Sequence, residues 1–154
     1  MVHNGIIENY QTLKEELIAK GYSFTSDTDT EVLLNFIDDI RAENGFSPEE
    51  AVRVALQRVV GAYVIVLLDA QDPLTLIAAR KGSPLVIGIG KGEHFLASDA
   101  APIIEYTREV VYINDYELAI VTAGQLTLKN LGNEPVTPSV QKLDLELAQI
   151  EKGG

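Results

Sequence analysis

The dipeptide Asn4-Gly5 sets a side-chain amide N–H beside an unhindered backbone N–H. Two such donors are what an oxyanion hole needs to hold the charge that develops on a tetrahedral intermediate. Taken alone, Asn-Gly is more often a tight turn, but only three residues precede it, and a hairpin needs a strand on that side. Asp29 falls in the first turn of a predicted helix, where free N–H groups and the helix dipole keep a carboxylate ionised. It suits an ammonium partner, although helix stabilisation is the plainer role. Other patterns fail on spacing. In Gly88-Ile89-Gly90-Lys91-Gly92 the third glycine comes two residues after the second and a strand follows, so a hairpin turn is expected instead of a phosphate loop. Asp27, Asp29 and Glu31 alternate like the start of a calcium loop, but Val32 stands where that loop requires glycine. His3 and His94 are the only histidines, read as packed or exposed and not as zinc ligands. The absence of cysteine removes thiol nucleophiles and thiolate metal sites, and no Gly-x-Ser-x-Gly elbow is present. No metal and no cofactor is expected.

Elements that can position these groups follow from the apolar pattern. Residues 9–20 read as an amphipathic helix with Leu13 and Leu17 inward and Gly21 as its stop. Tyr22-Ser23-Phe24 reads as a short strand. Thr28-Asp29-Thr30-Glu31 fits a capping box, placing Asp29 at the start of a helix whose buried stripe is Val32, Leu33, Phe36, Ile37 and Ile40. Ser47-Pro48-Glu49-Glu50 opens a third helix running to about Val60. The unbroken run from Tyr63 to Leu68 is that of a central strand covered on both faces. Short strands are expected at 75–79, 85–89, 94–97, 110–113, 117–121 and 125–129, with a helix at 100–105 capped by Ser98-Asp99. Beyond Asn130 the periodicity fades into a loop or linker, where Leu143, Leu145, Leu147 and Ile150 fit an extended stretch or a last helical turn. Helices early and strands late indicate an α+β layered domain.

At 154 residues the chain suits a single domain. Twelve Lys and Arg against 23 Asp and Glu give a net charge of −11, with the cations dispersed, which disfavours nucleic acid and anionic membranes as partners. The longest apolar run, residues 59–68, is short of the ~20 residues that cross a bilayer. No signal peptide is recognisable, so a cytoplasmic location is expected.

Five blocks acquire meaning together. They are Val2-His3-Asn4-Gly5-Ile6-Ile7-Glu8-Asn9-Tyr10; Gly21-Tyr22-Ser23-Phe24 with Ser26-Asp27-Thr28-Asp29-Thr30-Glu31-Val32; Val60-Gly61-Ala62-Tyr63; Ala79-Arg80-Lys81-Gly82-Ser83-Pro84-Leu85-Val86-Ile87-Gly88; and Phe95-Leu96-Ala97-Ser98-Asp99. In this order, from Val2 to about Val121, they resemble the glutaminase domains of the glutamine–fructose-6-phosphate aminotransferase family, which are class II glutamine amidotransferases. The resemblance implies an N-terminal-nucleophile hydrolase fold, an αββα layered sandwich, over residues 1–130, with 131–154 leading toward a sugar isomerase domain of the same longer chain. It also implies the chemistry. The α-amino group of an N-terminal cysteine acts as base while its thiolate attacks the glutamine amide. Asn4 and Gly5 would donate to the oxyanion, and Gly5 and Asp29 would contact the substrate, Asp29 at its α-ammonium. The released ammonia would convert fructose 6-phosphate to glucosamine 6-phosphate.

The sequence departs from that family in having no cysteine. It reads as starting inside the domain, with Met1 as an added start, so the opening strands and the nucleophile are expected to be missing. The polypeptide alone is then expected to be catalytically dead, and its uncovered edges to favour a homo-oligomer. Two alternatives stay open: the glutaminase portion of another class II amidotransferase, such as the amidophosphoribosyltransferase type, or a non-catalytic amino-acid-binding module.

Overall fold

A computed structural model describes residues 1–143. Along the chain it places β1 (Val2–Ile7), α1 (Tyr10–Ala19), α2 (Asp29–Asn44), α3 (Pro48–Leu56), β2 (Gly61–Asp69), β3 (Asp72–Lys81), β4 (Val86–Ile89), β5 (His94–Ala97), β6 (Glu109–Tyr112), β7 (Glu117–Val121), β8 (Leu126–Asn130), β9 (Pro135–Val136) and β10 (Val140–Lys142). Local chemistry sets the helix ends. The Glu31 N–H donates to the Thr28 hydroxyl, the Glu50 N–H donates to the Ser47 hydroxyl, and Pro48 occupies the first turn of α3. Gly45 closes α2 in the left-handed conformation at φ 66°.

The strands form two antiparallel sheets. Sheet A runs β1-β2-β3-β7-β8-β9, and sheet B runs β10-β6-β4-β5. The helices cover one face of sheet A, where Leu13, Leu17, Leu33, Ile37, Val52 and Ala55 pack with Ile7, Tyr63, Ile65 and Ile77 in one buried cluster. A second cluster joins the sheets through Ala78, Ala119 and Leu128 of sheet A with Ile87 and Val111 of sheet B. On the outer face of sheet B, Ile103 packs with Val86 and Val110. A side chain at Gly88 would collide with Ile103 and Thr107, so the glycine is what lets this segment lie flat on the sheet. Helices, sheet A and sheet B make the expected α+β layered sandwich. Among the described residues no helix is long and apolar enough to cross a membrane.

Several local expectations give way to tertiary structure. Tyr22-Ser23-Phe24 is not a strand: the Tyr22 N–H donates to the Leu17 carbonyl to finish α1, and its hydroxyl donates to Asp39 Oδ1 at 3.2 Å. Residues 101–106 form turns and not a helix, because the Asp99 carboxylate accepts from the Ala101 N–H in a tight Asx turn and Pro102 has no N–H to give. Helix α3 stops at Leu56, short of Val60. Strand β2 is interior to its sheet and packed on both faces, fully under the helices and only partly toward sheet B, where Val64 and Val66 lie against the inter-sheet core. Tyr63, Ile65 and Leu67 are buried under the helices, whereas Val64 and Val66 are half-buried and Leu68 is exposed. Beyond Asn130 the chain keeps pairing, adding β9 to β8 and β10 to β6 where a loop or linker is expected. Leu145, Leu147 and Ile150 lie outside the described residues.

Candidate functional site

Among the described residues, strand β1 sits at the edge of sheet A, paired only with β2, with Asn4 opposite Val64 and Gly5 opposite Tyr63. Gly5 has φ 111°, and a methyl group there would overlap the Ala62 carbonyl, so the close approach of β1 to β2 demands glycine. Asn4 is exposed and shares a sheet face with its register partner Val64, on the side toward sheet B.

The first turn of α2 grips this strand on both sides of the dipeptide. The Ile7 N–H donates to Asp29 Oδ2 at 2.9 Å. His3 Nδ1 lies 2.9 Å from the Thr30 hydroxyl and 3.9 Å from Asp29 Oδ1. The structure therefore sets Asp29 against the backbone edge of β1 from the helical layer, through Ile7 and His3 on either side of Asn4-Gly5, while Asn4 itself lies on the sheet B side. A ligand touching all three straddles the open edge of β1. The Asp29 side chain keeps 24% of its surface exposed, and its two contacts leave carboxylate lone pairs for a further donor.

The surroundings fix charge. Burial pushes the His3 imidazole below its ordinary value, while the nearby Asp29 carboxylate pulls the other way. Because burial wins, His3 is neutral at pH 7 and its contact with α2 is a hydrogen bond to Thr30 and not an ion pair. Glu31 accepts from the Ser26 and Thr25 N–H groups and from both hydroxyls, which holds its carboxyl down at about 2. That is a departure from the reciprocal capping box, in which the glutamate reaches back to the cap residue itself. It ties residues 25–26 against the start of α2 and so helps set where Asp29 stands. Tyr63, opposite Gly5, has its hydroxyl pushed up to about 12 by burial and remains protonated. Among the described residues, neither that hydroxyl nor His3 Nε2 has a hydrogen-bond partner.

The glycine-rich motif takes the turn its spacing implies. Gly90 and Gly92 form the β4–β5 hairpin, whose Gly90 N–H is taken by the Glu93 carbonyl at 2.9 Å. Asp29 and Glu31 bind different backbone segments, and no metal-holding group of side chains occurs among the described residues. Sequence reasoning missed His3, Thr30 and Tyr63 as neighbours of the dipeptide. Position 3, adjacent to Asn4, was the one signal available for His3; the others meet β1 only through tertiary packing.

Comparison with known proteins adds family evidence. A model of the glutamine amidotransferase domain matches residues 1–105. The chain is 54% identical to glutamine–fructose-6-phosphate aminotransferase [isomerizing] of Bacteroides thetaiotaomicron, over 100% of this chain and 25% of that protein. It is 52% identical to the protein of the same name from Chlorobaculum tepidum, again over 100% of this chain and 25% of the relative, and 46% identical to that from Pyrococcus horikoshii, over 100% and 26%. The chain thus spans about a quarter of the length of the curated relatives it matches. Among solved structures, glutamine phosphoribosylpyrophosphate amidotransferase from B. subtilis superposes with a TM-score of 0.73 at 23% identity, covering 84% of this chain and 28% of that one. That likeness shows the fold alone.

Proposed function

The chain belongs to the glutamine amidotransferase domain family, and from that premise we propose that it forms part of a glutaminase domain that releases ammonia from L-glutamine for glucosamine 6-phosphate synthesis. The observation that carries the reading is the grip of the α2 first turn on β1, which sets the Asp29 carboxylate against the strand that bears Asn4 and Gly5. Each group has a separate task. The Asn4 side-chain amide and the Gly5 N–H meet the negative charge that grows on the amide oxygen under attack. Asp29 holds the α-ammonium of glutamine, orienting the far end of the substrate toward those donors. Attack itself requires a thiolate, and the 154 residues contain no cysteine. The nucleophile is therefore supplied by residues other than these.

Partners follow from the same proposal. Ammonia released here is consumed by a sugar isomerase domain of the same full-length chain, toward which residues 131–154 lead from the glutaminase part at 1–130. The assembly works in the cytoplasm as a homo-oligomer. The 54% identity to the fructose-6-phosphate type favours that reading over the phosphoribosyl type, with which this chain shares the fold at 23% identity.

An exchange experiment tests the proposal. The stretch of the Bacteroides thetaiotaomicron relative that aligns with this chain is replaced by it, giving an exchange protein that keeps the rest of that enzyme. The exchange protein should release glutamate from L-glutamine and form glucosamine 6-phosphate, while the 154-residue polypeptide alone should release none. An exchange protein that folds and uses free ammonia but not glutamine would refute the assignment.

A further inference from the structure

The chain carries far more carboxylates than cations, 23 against 12, so an unpaired cation is an exception that needs a reason. Among the described residues, Lys20, Arg41, Arg53, Arg58, Arg80 and Lys129 stand in ion pairs. Lys14 lies over the Phe24 ring and Lys81 over the Tyr116 ring. The three that remain, Lys91, Arg108 and Lys142, have no such partner among the described residues, and all three line one cavity. They come from separate places in the chain: the β4–β5 turn, the loop before β6, and the end of β10. Their convergence is thus a product of the fold and not of a local charge run.

The cavity holds about 590 Å³, the largest of those described and within the ~300–1,000 Å³ of small-molecule sites. It lies on sheet B, away from β1 and α2. Its remaining lining is informative. Tyr106 stacks one ring face on Phe95, centroids 4.9 Å apart, and is itself 67% exposed, so its other face is open to a flat apolar surface. Glu93 and Glu109 put two carboxylates on the same rim. A bare inorganic anion would meet those carboxylates at a cost. A ligand with an anionic end and several hydroxyls uses every group: cations for the anion, carboxylates as acceptors for the hydroxyls, the Tyr106 face for a C–H surface.

We propose that this cavity binds a phosphorylated polyol, a sugar phosphate, with its phosphate on Lys91, Arg108 and Lys142 and its ring against Tyr106. The hairpin glycines take no part in holding the phosphate through Gly90, whose N–H is already spent on Glu93.

The test is an amide-resolved NMR titration of the full chain with glucose 6-phosphate, with glucose and inorganic phosphate as parallel arms. The proposal expects saturable shifts at Lys91, Thr107, Arg108 and Lys142 at millimolar glucose 6-phosphate, and weaker binding of both other probes. Arg108→Ala and, separately, Lys91→Ala should each weaken binding about tenfold, the effect of losing one charge-assisted contact. Lys14→Glu, a surface charge change remote from the cavity, should leave it unaltered. Equal affinity for inorganic phosphate, shifts spread over the paired cations, or no saturation would each overturn the proposal. So would capture of a polyglutamate peptide without capture of glucose 6-phosphate, which would assign the cavity to an acidic protein surface.

Discussion

Replacing Asn4 by alanine in the exchange protein should lower kcat for glutamine hydrolysis about 10²- to 10³-fold, equivalent to about 3–4 kcal/mol of transition-state stabilisation. The amide of Asn4 is assigned to charge that exists only after the thiolate has attacked. Its loss therefore falls on kcat, and KM for glutamine should change little. Stability should hold as well, because Asn4 is exposed and its side chain makes no hydrogen bond among the described residues. Steady-state glutaminase assays combined with thermal unfolding separate the two effects. A folded variant whose kcat stays within about threefold of the parent would remove Asn4 from the oxyanion site.

Gly5→Ala should act through the fold before it acts on chemistry. Two costs combine: an L-residue forced to φ 111°, and a methyl group driven into the Ala62 carbonyl, which belongs to rigid backbone and cannot step aside. Together these amount to about 3 kcal/mol or more, a fall in Tm of roughly 6–12 °C for a domain of this size. Gly21→Ala provides the matched comparison. Gly21 also has positive φ, at 98°, but nothing stands where its methyl group would go. It should lose about 1 kcal/mol, the conformational part alone. Urea denaturation of both variants checks the difference, and equal losses would show that the contact between β1 and β2 is not what requires glycine at position 5.

Helix α2 and the position of Asp29 were legible from sequence because their cause is local: Thr28 caps the helix through a hydroxyl three residues from the N–H it accepts. Strand β1 was not. Its six residues include an Asn-Gly pair and show no clean alternation, and they become a strand by pairing with β2, some sixty residues away, and by the grip of α2. The same limit hid residues 101–106, whose helix-like pattern loses to an Asx turn and a proline. As for the site, residue types alone left Asn4-Gly5 closer to a turn and Asp29 closer to a helix stabiliser, and it was the resemblance of five ordered blocks that gave them a shared purpose. His3 and Tyr63 needed coordinates, since burial beside a distant strand leaves no mark in a local window.

Whether β1 and the start of α2 make one glutamine-gripping unit is read from KM for L-glutamine in the Asp29→Asn exchange protein. Asparagine can still accept from the Ile7 N–H, so the junction stays folded while the negative charge disappears. A lost charged contact to the substrate ammonium should raise KM about 10- to 100-fold with kcat little changed. An unchanged KM in a folded variant would contradict it.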